Sequence, residues 1–212
     1  MKKFIYLFLL MVCLLPLNAS AHVIHTERKN VNIVADYVYQ KADLKGKIGY
    51  NVFKKAFIAY NKTRGKKKSL LTIIDYSMPS TEKRFYVIDL KSNKLLYRTY
   101  VSHGENSGRL IADDFSNRVN SHKTSLGTFL TEGTYHGGNG YSLKLNGLTR
   151  GKNDNALKRF IVIHGAKYVS ESFIKRNGYL GRSWGCPAIP TYLSKKIIDT
   201  IKGGSVIFAY AK

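Results

Sequence analysis

The chain has 212 residues, with 35 Lys and Arg against 13 Asp and Glu, so its formal charge is +22. Hydrophobic residues make up 44% of it, and 15 Tyr, 10 Phe and 1 Trp supply core material, which excludes an intrinsically disordered chain. With 4 Pro and no long Gly/Ser tract, no linker is evident, and a compact fold of ordinary size is expected.

The first residues have the pattern of a secretory signal peptide. Lys2 and Lys3 precede an apolar run over 4–17, and small residues follow it as far as Ala21. A retained membrane anchor is the alternative, but the run is shorter than the ~20 apolar residues that a spanning helix needs. We therefore expect residues 1–21 to be cleaved and the protein to be exported to the periplasm or cell envelope. Nucleic acid is not an expected partner there, whereas anionic envelope surfaces suit the positive charge.

The next segment, residues 22–69, is expected to be a helical N-terminal extension. Val52, Ala56 and Tyr60 recur at helical spacing and form an apolar stripe that would dock on the main domain. The basic run over 62–68 is typical of a solvated loop.

From Leu70 the hydrophobic period changes to that of strands, and residues 70–212 are expected to form the main domain. Short strands at close spacing predict a mainly β fold with antiparallel strands and flanking helices. The second and third candidate strands would form a hairpin about a turn at 91–94. In chain order, the candidate strands are LLTIIDY (70–76), RFYVIDL (84–90), LLYRTYVS (95–102), LGTFLTEG (126–133), YSLKLNGL (141–148), RFIVIHG (159–165) and SVIFAY (205–210).

Two helices are expected in the C-terminal part. Ser170 is a candidate N-cap for a helix that stops at Asn177 and Gly178, and Thr191 for a second helix that ends at Gly203. The interval between them contains YLGRSWGCPAIP (179–190), the least regular stretch of the chain, because its prolines and glycines force defined turns.

Cys186 lies in that interval and would be the only cysteine left after cleavage, since Cys13 belongs to the signal peptide. In an oxidising compartment a lone thiol is either a buried, inert residue or a functional group. His164 ends the candidate strand RFIVIHG, where a glycine frees the backbone. An imidazole beside the thiol would lower the pKa of the thiol and make a nucleophile suited to acyl transfer.

Position alone does not select His164. A histidine at a strand end is often only hydrogen-bonded within the structure. The sequence contains no H-E-x-x-H and no histidines at metal-ligand spacing, so neither a metal nor another cofactor is expected. The competing histidines are His22, His25, His103, His122 and His136.

These segments resemble the L,D-transpeptidase catalytic domain, and most closely its murein L,D-transpeptidase catalytic domain-like branch. VIHG (162–165), followed by SWGCPA (183–188), is similar to the family's H-G element and its later S/T-H-G-C element. TSLGTF (124–129) resembles the segment that precedes the site, and SHGENSG (102–108) also fits the branch. The resemblance implies that residues 70–212 are a catalytic domain with an L,D-transpeptidase-like β-sandwich or barrel.

The resemblance also implies roles for the residues of the site. Cys186 would be the nucleophile and His164 its general base, with the carbonyl of Gly165 orienting the imidazole. The implied reaction is attack of the thiolate on the bond between the L-centre of a diamino acid and D-Ala in a peptidoglycan tetrapeptide stem, which leaves a thioester. The acceptor stays open between an amine of a neighbouring stem, an amine of a lipoprotein, and water.

The oxyanion hole implied by the resemblance consists of the backbone N–H groups of Trp184, Gly185 and Cys186. Ser183 and Gly185 would shape the turn. Ser183 and Arg182 are the candidate substrate contacts. The guanidinium of Arg182 could pair bidentately with a stem carboxylate.

Two positions depart from the family pattern. Trp184 stands where the family has histidine, and Ala188 where it has Asn or Arg. Trp184 could stack on the stem peptide or pack the turn. The Gly-rich stretch TYHGGNGYS (134–142), with Tyr135 and Tyr141, is equally well a lid over the substrate or an ordinary hairpin loop.

Two other classes of cysteine enzyme do not fit the sequence, and one non-catalytic alternative stays open. A sortase would need an arginine downstream of the nucleophile, and no Arg follows Cys186. Papain-like enzymes place cysteine before histidine, the reverse of the order here. A non-catalytic basic cell-wall-binding protein, or an inactive transpeptidase homologue with an inert Cys186, stays open.

Overall fold

Residues 31–212 are described by a computed structural model. The expected signal peptide, residues 1–21, and the start of the expected extension, 22–30, lie outside this range. The elements in chain order are α1 (31–41), α2 (Tyr50–Lys62), β1 (Leu70–Asp75), β2 (Phe85–Asp89), β3 (Lys94–Thr99), a 3-10 turn (Glu105–Ser107), β4 (Gly127–Gly137), β5 (Gly140–Gly147), β6 (Val162–Ala166), α3 (Glu171–Asn177), β7 (Ala188–Pro190), α4 (Thr191–Ile201) and β8 (Val206–Tyr210).

The strands form one sheet in the order β3-β2-β1-β8-β4-β5-β6-β7, so the predicted mainly β fold with flanking helices is confirmed. The prediction of antiparallel strands is wrong for two pairs, because β1 pairs with β8, and β6 with β7, in parallel. Parallel neighbours need a crossover of a dozen or more residues, and α3 lies in the one between β6 and β7. Strand spacing does not reveal which strands become neighbours, so the crossovers were not predicted.

The central strands are apolar on both faces because both faces are covered. In β1 the neighbouring side chains of Ile73 and Ile74 lie on opposite faces of the sheet, and in β2 those of Tyr86 and Phe85 do the same. Ile74 and Phe85 lie in a core shared with residues of β4 to β8 and of α4, which the sheet surrounds in a barrel-like manner. Ile73 and Tyr86 pack on the opposite side against α1 and α2. The predicted docking of the helical segment on the main domain is therefore confirmed.

The two C-terminal helices test the predicted caps. Ser170 Oγ accepts a hydrogen bond from the N–H of Phe173, and Gly178 ends α3 in the left-handed region with φ of +78°, so both predictions are confirmed. The predicted cap at Thr191 is wrong, since Pro190 occupies the N-cap position without a side-chain hydrogen bond. Helix α4 also ends at Ile201, earlier than predicted.

Boundaries near the C-terminal turn differ most from prediction. The candidate strand 159–165 is wrong at its start, because β6 begins at Val162 and leaves Arg159 and Phe160 in the preceding loop. Strand β7 was not predicted, since three residues are too few for a hydrophobic period.

In the described range, the helices are too short or too polar to cross a bilayer.

Candidate active site

A cleft of about 530 Å³ opens at the β6–β7 edge of the sheet. Its lining includes five residues selected from the sequence, Cys186, His164, Arg182, Ser183 and Trp184. A second cleft, of about 520 Å³, contains no cysteine or histidine in its lining. The structure therefore brings the selected side chains together in one place.

His164 lies on β6, directly opposite Ala188 of β7. Since Cys186 precedes Ala188 by two residues, this pairing brings the thiol-bearing turn next to the imidazole. His164 Nδ1 lies 3.1 Å from Gly165 O, and a carbonyl only accepts, so Nδ1 carries the proton and Nε2 keeps its lone pair. Burial lowers the pKa of His164 below its ordinary 6.5, which keeps the ring neutral at pH 7 and able to accept a proton.

The turn that carries Cys186 is held together by one serine. Ser183 Oγ donates to Cys186 O at 2.6 Å and accepts from Gly185 N–H at 3.1 Å. Gly185 has φ of +110°, and a Cβ there would lie 2.7 Å from Lys123 O, so only glycine fits. Ser183 N–H also donates to His103 O at 3.0 Å, which ties the turn to the loop after β3.

The thiol of Cys186 is neutral at rest. Burial raises its pKa above the ordinary 9.0, and the N–H of Val162 and the guanidinium of Arg159 oppose this shift only in part. The sulfur donates to Phe160 O at 3.6 Å, as a protonated thiol can. The expected lowering of the thiol pKa by the imidazole is therefore wrong, because desolvation disfavours the thiolate. Any nucleophilic attack requires a base that removes the proton as the sulfur attacks.

The expected oxyanion hole needs one correction. Gly185 N–H is already used by Ser183 Oγ and is not free to stabilise an oxyanion. Across residues 31–212, no acceptor takes a hydrogen bond from the N–H of Trp184 or of Cys186. Two of the three expected donors therefore have no hydrogen-bond partner within the described residues.

Arg159, one of several arginines to which the sequence assigns no role, also lines the cleft. Nη1 donates to Ser116 O at 2.6 Å and to Ser125 Oγ, and Nη2 donates to Ser121 Oγ at 3.1 Å and Lys123 O at 2.5 Å. The guanidinium thus fixes the loop over 116–125 beneath the thiol-bearing turn, and its charge favours the thiolate. Its placement in a predicted strand concealed this role, and no local motif pointed to it.

Arg182 is exposed at the rim of the cleft, and part of its guanidinium is already engaged. Nη1 donates to Glu105 O at 3.1 Å and Gly108 O at 3.2 Å, and the group stacks over Tyr179 at 5.7 Å. These contacts orient the guanidinium of Arg182 at the cleft. Ser183, the other candidate substrate contact, is instead buried, and its hydroxyl is used within the turn.

The Gly-rich stretch forms an ordinary hairpin, one of its two predicted alternatives. Strands β4 and β5 stay paired as far as Gly137 and Gly140, so only two residues make the turn. Tyr141 Oη donates to Asp199 of α4 at 2.7 Å, which anchors the hairpin rather than freeing it to close as a lid. Asn139 at the tip lines the cleft.

The competing histidines differ in their surroundings. His103 is fully buried, where Arg84 Nη2 donates to Nδ1 at 2.7 Å and Nε2 donates to Gly108 O at 3.1 Å. Burial, followed by the charge of Arg84, lowers the pKa of His103 to about 4. His136 packs at a tilt against Tyr141 on the hairpin, with ring centroids 5.1 Å apart. In the described part of the chain, no three His, Cys, Asp or Glu side chains gather as metal ligands; His22 and His25 lie outside it.

Trp184 does not pack the turn, because 70% of it is exposed. Its indole stacks on His122, with ring centroids 4.7 Å apart and planes 8° from parallel. His122 Nδ1 in turn lies 2.6 Å from Glu105 Oε1. The ring is therefore held at the mouth of the cleft with much of its surface open.

Comparison with known proteins identifies the family. The sequence matches the model of the L,D-transpeptidase catalytic domain over residues 44–210, and no curated protein matches it. Similar solved structures include an L,D-transpeptidase from Mycobacterium smegmatis, with 15% identity and a TM-score of 0.42 over 68% of this chain and 59% of that chain. A mutant of the helical cell shape determining protein Pgp2 from Campylobacter jejuni gives 13% identity and a TM-score of 0.46 over 69% of this chain and 48% of that chain.

An L,D-transpeptidase from Xylanimonas cellulosilytica gives 16% identity and a TM-score of 0.38 over 82% of this chain and 77% of that chain. The chain thus spans 59% and 48% of the lengths of the first two structures. The family match extends over α2, the whole sheet and the cleft. The chain belongs to the L,D-transpeptidase catalytic domain family.

Proposed function

We propose that the protein catalyses acyl transfer on peptidoglycan tetrapeptide stems through a thioester on Cys186. The observation that carries the proposal is the shared cleft, in which Cys186 and His164 lie on neighbouring segments at the β6–β7 edge. The match to the L,D-transpeptidase catalytic domain supports the substrate class. Together with the expected signal peptide, it also supports an extracytoplasmic location, in the periplasm or cell envelope.

In the first half-reaction, His164 Nε2 accepts the thiol proton while Cys186 Sγ attacks the carbonyl of the bond between the diamino acid's L-centre and D-Ala. The oxygen that becomes negative faces the N–H groups of Trp184 and Cys186. The C–N bond then breaks, and D-Ala leaves as an amine that takes the proton back from the imidazolium. A neutral thiol and a neutral imidazole suit this sequence of steps, since each group becomes charged only when the proton moves from Cys186 to His164.

In the second half-reaction, an acceptor attacks the thioester and restores the thiol. An amine from a neighbouring stem gives a cross-link, an amine from a lipoprotein gives anchoring, and water gives carboxypeptidase activity. Arg182, exposed at the rim, is the candidate partner for a stem carboxylate.

A second candidate is a non-catalytic basic wall-binding protein or an inactive homologue. The buried thiol with its raised pKa favours this alternative, because such a thiol is inert without a base.

Digestion of purified muropeptides separates the two candidates. Wild-type protein should release D-Ala and give products whose masses identify the acceptor, while Cys186→Ala and His164→Ala give none. Unchanged muropeptides with folded wild-type protein would favour the non-catalytic alternative. Equal product from Cys186→Ala would exclude the thioester route.

A further inference from the structure

Two of the most exposed aromatic side chains flank the thiol. Phe160 is 80% exposed and Trp184 is 70% exposed, and both line the cleft with Cys186. Phe160 O accepts the hydrogen bond from the thiol, and Trp184 precedes Cys186 by two residues. A single exposed aromatic side chain is ordinary on a protein surface, but two that converge on one cleft form an apolar patch, which points to a ligand.

The indole of Trp184 already packs on a neighbour in the free protein. One face lies on the ring of His122, which hydrogen-bonds to Glu105. His122 has φ of +53°, a left-handed conformation uncommon for a residue other than glycine. A side chain that is already oriented by packing in the free protein loses less entropy on binding than a freely rotating one, as expected of a contact surface.

The backbone at Phe160 directs its ring outward. Phe160 has φ of +54°, which is strained for a phenylalanine, and the next residue, Ile161, is only 2% exposed. The preceding Arg159 is anchored by its four hydrogen bonds. The chain therefore anchors the neighbour on one side, buries the neighbour on the other, and leaves the phenyl ring in solvent at the cleft.

We propose that Phe160 and Trp184 form an aromatic subsite that stacks on the saccharide ring carrying the stem peptide. A pyranose has a face of C–H groups, which suits an aromatic ring, and a rim of hydroxyl and acetamido groups, which suits side-chain amides. Asn120 and Asn139 supply such amides in the same cleft. This subsite rests on the proposed function, because it positions the glycan of the substrate whose stem meets Cys186.

The open form of the subsite favours a sugar over a peptide side chain. Small apolar side chains are recognised in enclosed pockets, whereas Phe160 and Trp184 present flat, largely exposed surfaces. None of the residues that line the cleft in the described range is acidic, so the lining does not repel a neutral or anionic glycan.

The test uses Trp184 as its own reporter, since it is the only tryptophan in the sequence. Cys186→Ala protein is titrated with disaccharide-tetrapeptide and with free tetrapeptide, and indole fluorescence is followed. The disaccharide-linked ligand should bind about tenfold more tightly, the factor expected for one good aromatic contact. Adding Phe160→Ala should remove this preference and leave the affinity for free tetrapeptide unchanged within about twofold.

Tyr192→Ala is the matched control, because Tyr192 is 81% exposed but does not line the cleft. It should keep the full preference for the disaccharide-linked ligand. Calorimetric titration of Trp184→Ala, which lacks the reporter, should show the same loss as Phe160→Ala. Circular dichroism and thermal melts check that each variant is folded.

The outcomes separate this inference from the proposed function. If Phe160→Ala weakens both ligands equally, the ring contacts the peptide, and the saccharide subsite is overturned. If the preference persists in Phe160→Ala while wild-type protein turns over substrate, only the subsite fails. If the preference depends on Phe160 but wild-type protein releases no D-Ala, the subsite stands and the catalytic proposal fails.

Discussion

Replacing Ser183 by alanine tests whether the geometry of the thiol-bearing turn matters separately from the thiol. Ser183 is 6% exposed, and its Oγ makes two hydrogen bonds inside the turn, to Cys186 O and from Gly185 N–H. Each bond contributes roughly 1 kcal/mol, so losing both lowers the free energy of unfolding by about 2 kcal/mol. For a chain of this size the melting temperature should fall by ~4–8 °C.

The effect on chemistry should be larger than the effect on stability. Without Ser183 Oγ, the turn can shift the sulfur and the N–H groups of Trp184 and Cys186 relative to His164. A displacement of about 1 Å costs on the order of 10²-fold in rate. A carbapenem, an inhibitor class that the family resemblance implies, is the probe, since the thiol opens its ring to form an acyl-enzyme. Intact-mass spectrometry over time should show acylation of Ser183→Ala slowed by about 10²-fold.

Ser205→Ala is the matched control. Ser205 is fully buried and also makes two side-chain hydrogen bonds, to Ile201 O at 2.6 Å and with Thr131 Oγ1 at 3.2 Å, but it does not line the cleft. It should show a similar fall in melting temperature with acylation within about twofold of wild type. If Ser183→Ala acylates at the rate of this control, the turn geometry does not limit the reaction, and the reasoning is refuted.

Three further predictions concern polar groups that are buried or half-buried. Because the pKa of His103 is lowered to about 4 in the folded protein, the free energy of unfolding should fall by about 3 kcal/mol as the pH falls from 6.5 towards 4. Thermal melts of His103→Asn should lack this pH dependence, whereas melts of His136→Asn should keep it. His164→Ala should slow acylation by ~10²–10⁴-fold with a melting temperature at most ~4 °C lower, and a large fall in melting temperature with normal acylation would instead indicate a structural histidine. Arg159→Lys cannot make the four forked contacts, so limited proteolysis should cut the loop over 116–125 faster than in wild type, and equal cutting rates would contradict its anchoring role.

The elements that the sequence predicts well are those with a strong local signal. Ser170 and Gly178 bound α3 as their capping chemistry requires, and the apolar stripe through Val52 and Ala56 docks on the sheet. His164 and Cys186 line one cleft, as expected from the two sequence motifs that contain them. Hydrophobic periodicity alone would not have indicated that these two residues lie together.

The features that were missed depend on contacts between distant segments. The parallel pairing of β1 with β8, and that of β6 with β7, depend on crossovers that no local pattern encodes. The raised pKa of Cys186 depends on burial, which a tight turn in the sequence does not reveal. Arg159 acts through a loop more than thirty residues away in sequence, and it became visible only once its partners were placed.

The most direct measurement is the intact mass of wild-type protein incubated with disaccharide-tetrapeptide and quenched in acid during turnover. We expect a covalent species heavier by the substrate minus D-Ala, mapped to Cys186 by peptide digestion, absent from Cys186→Ala and strongly reduced in His164→Ala. Turnover with release of D-Ala but with the adduct on another residue, or no adduct and no D-Ala from folded protein, would contradict acyl transfer through this thiol.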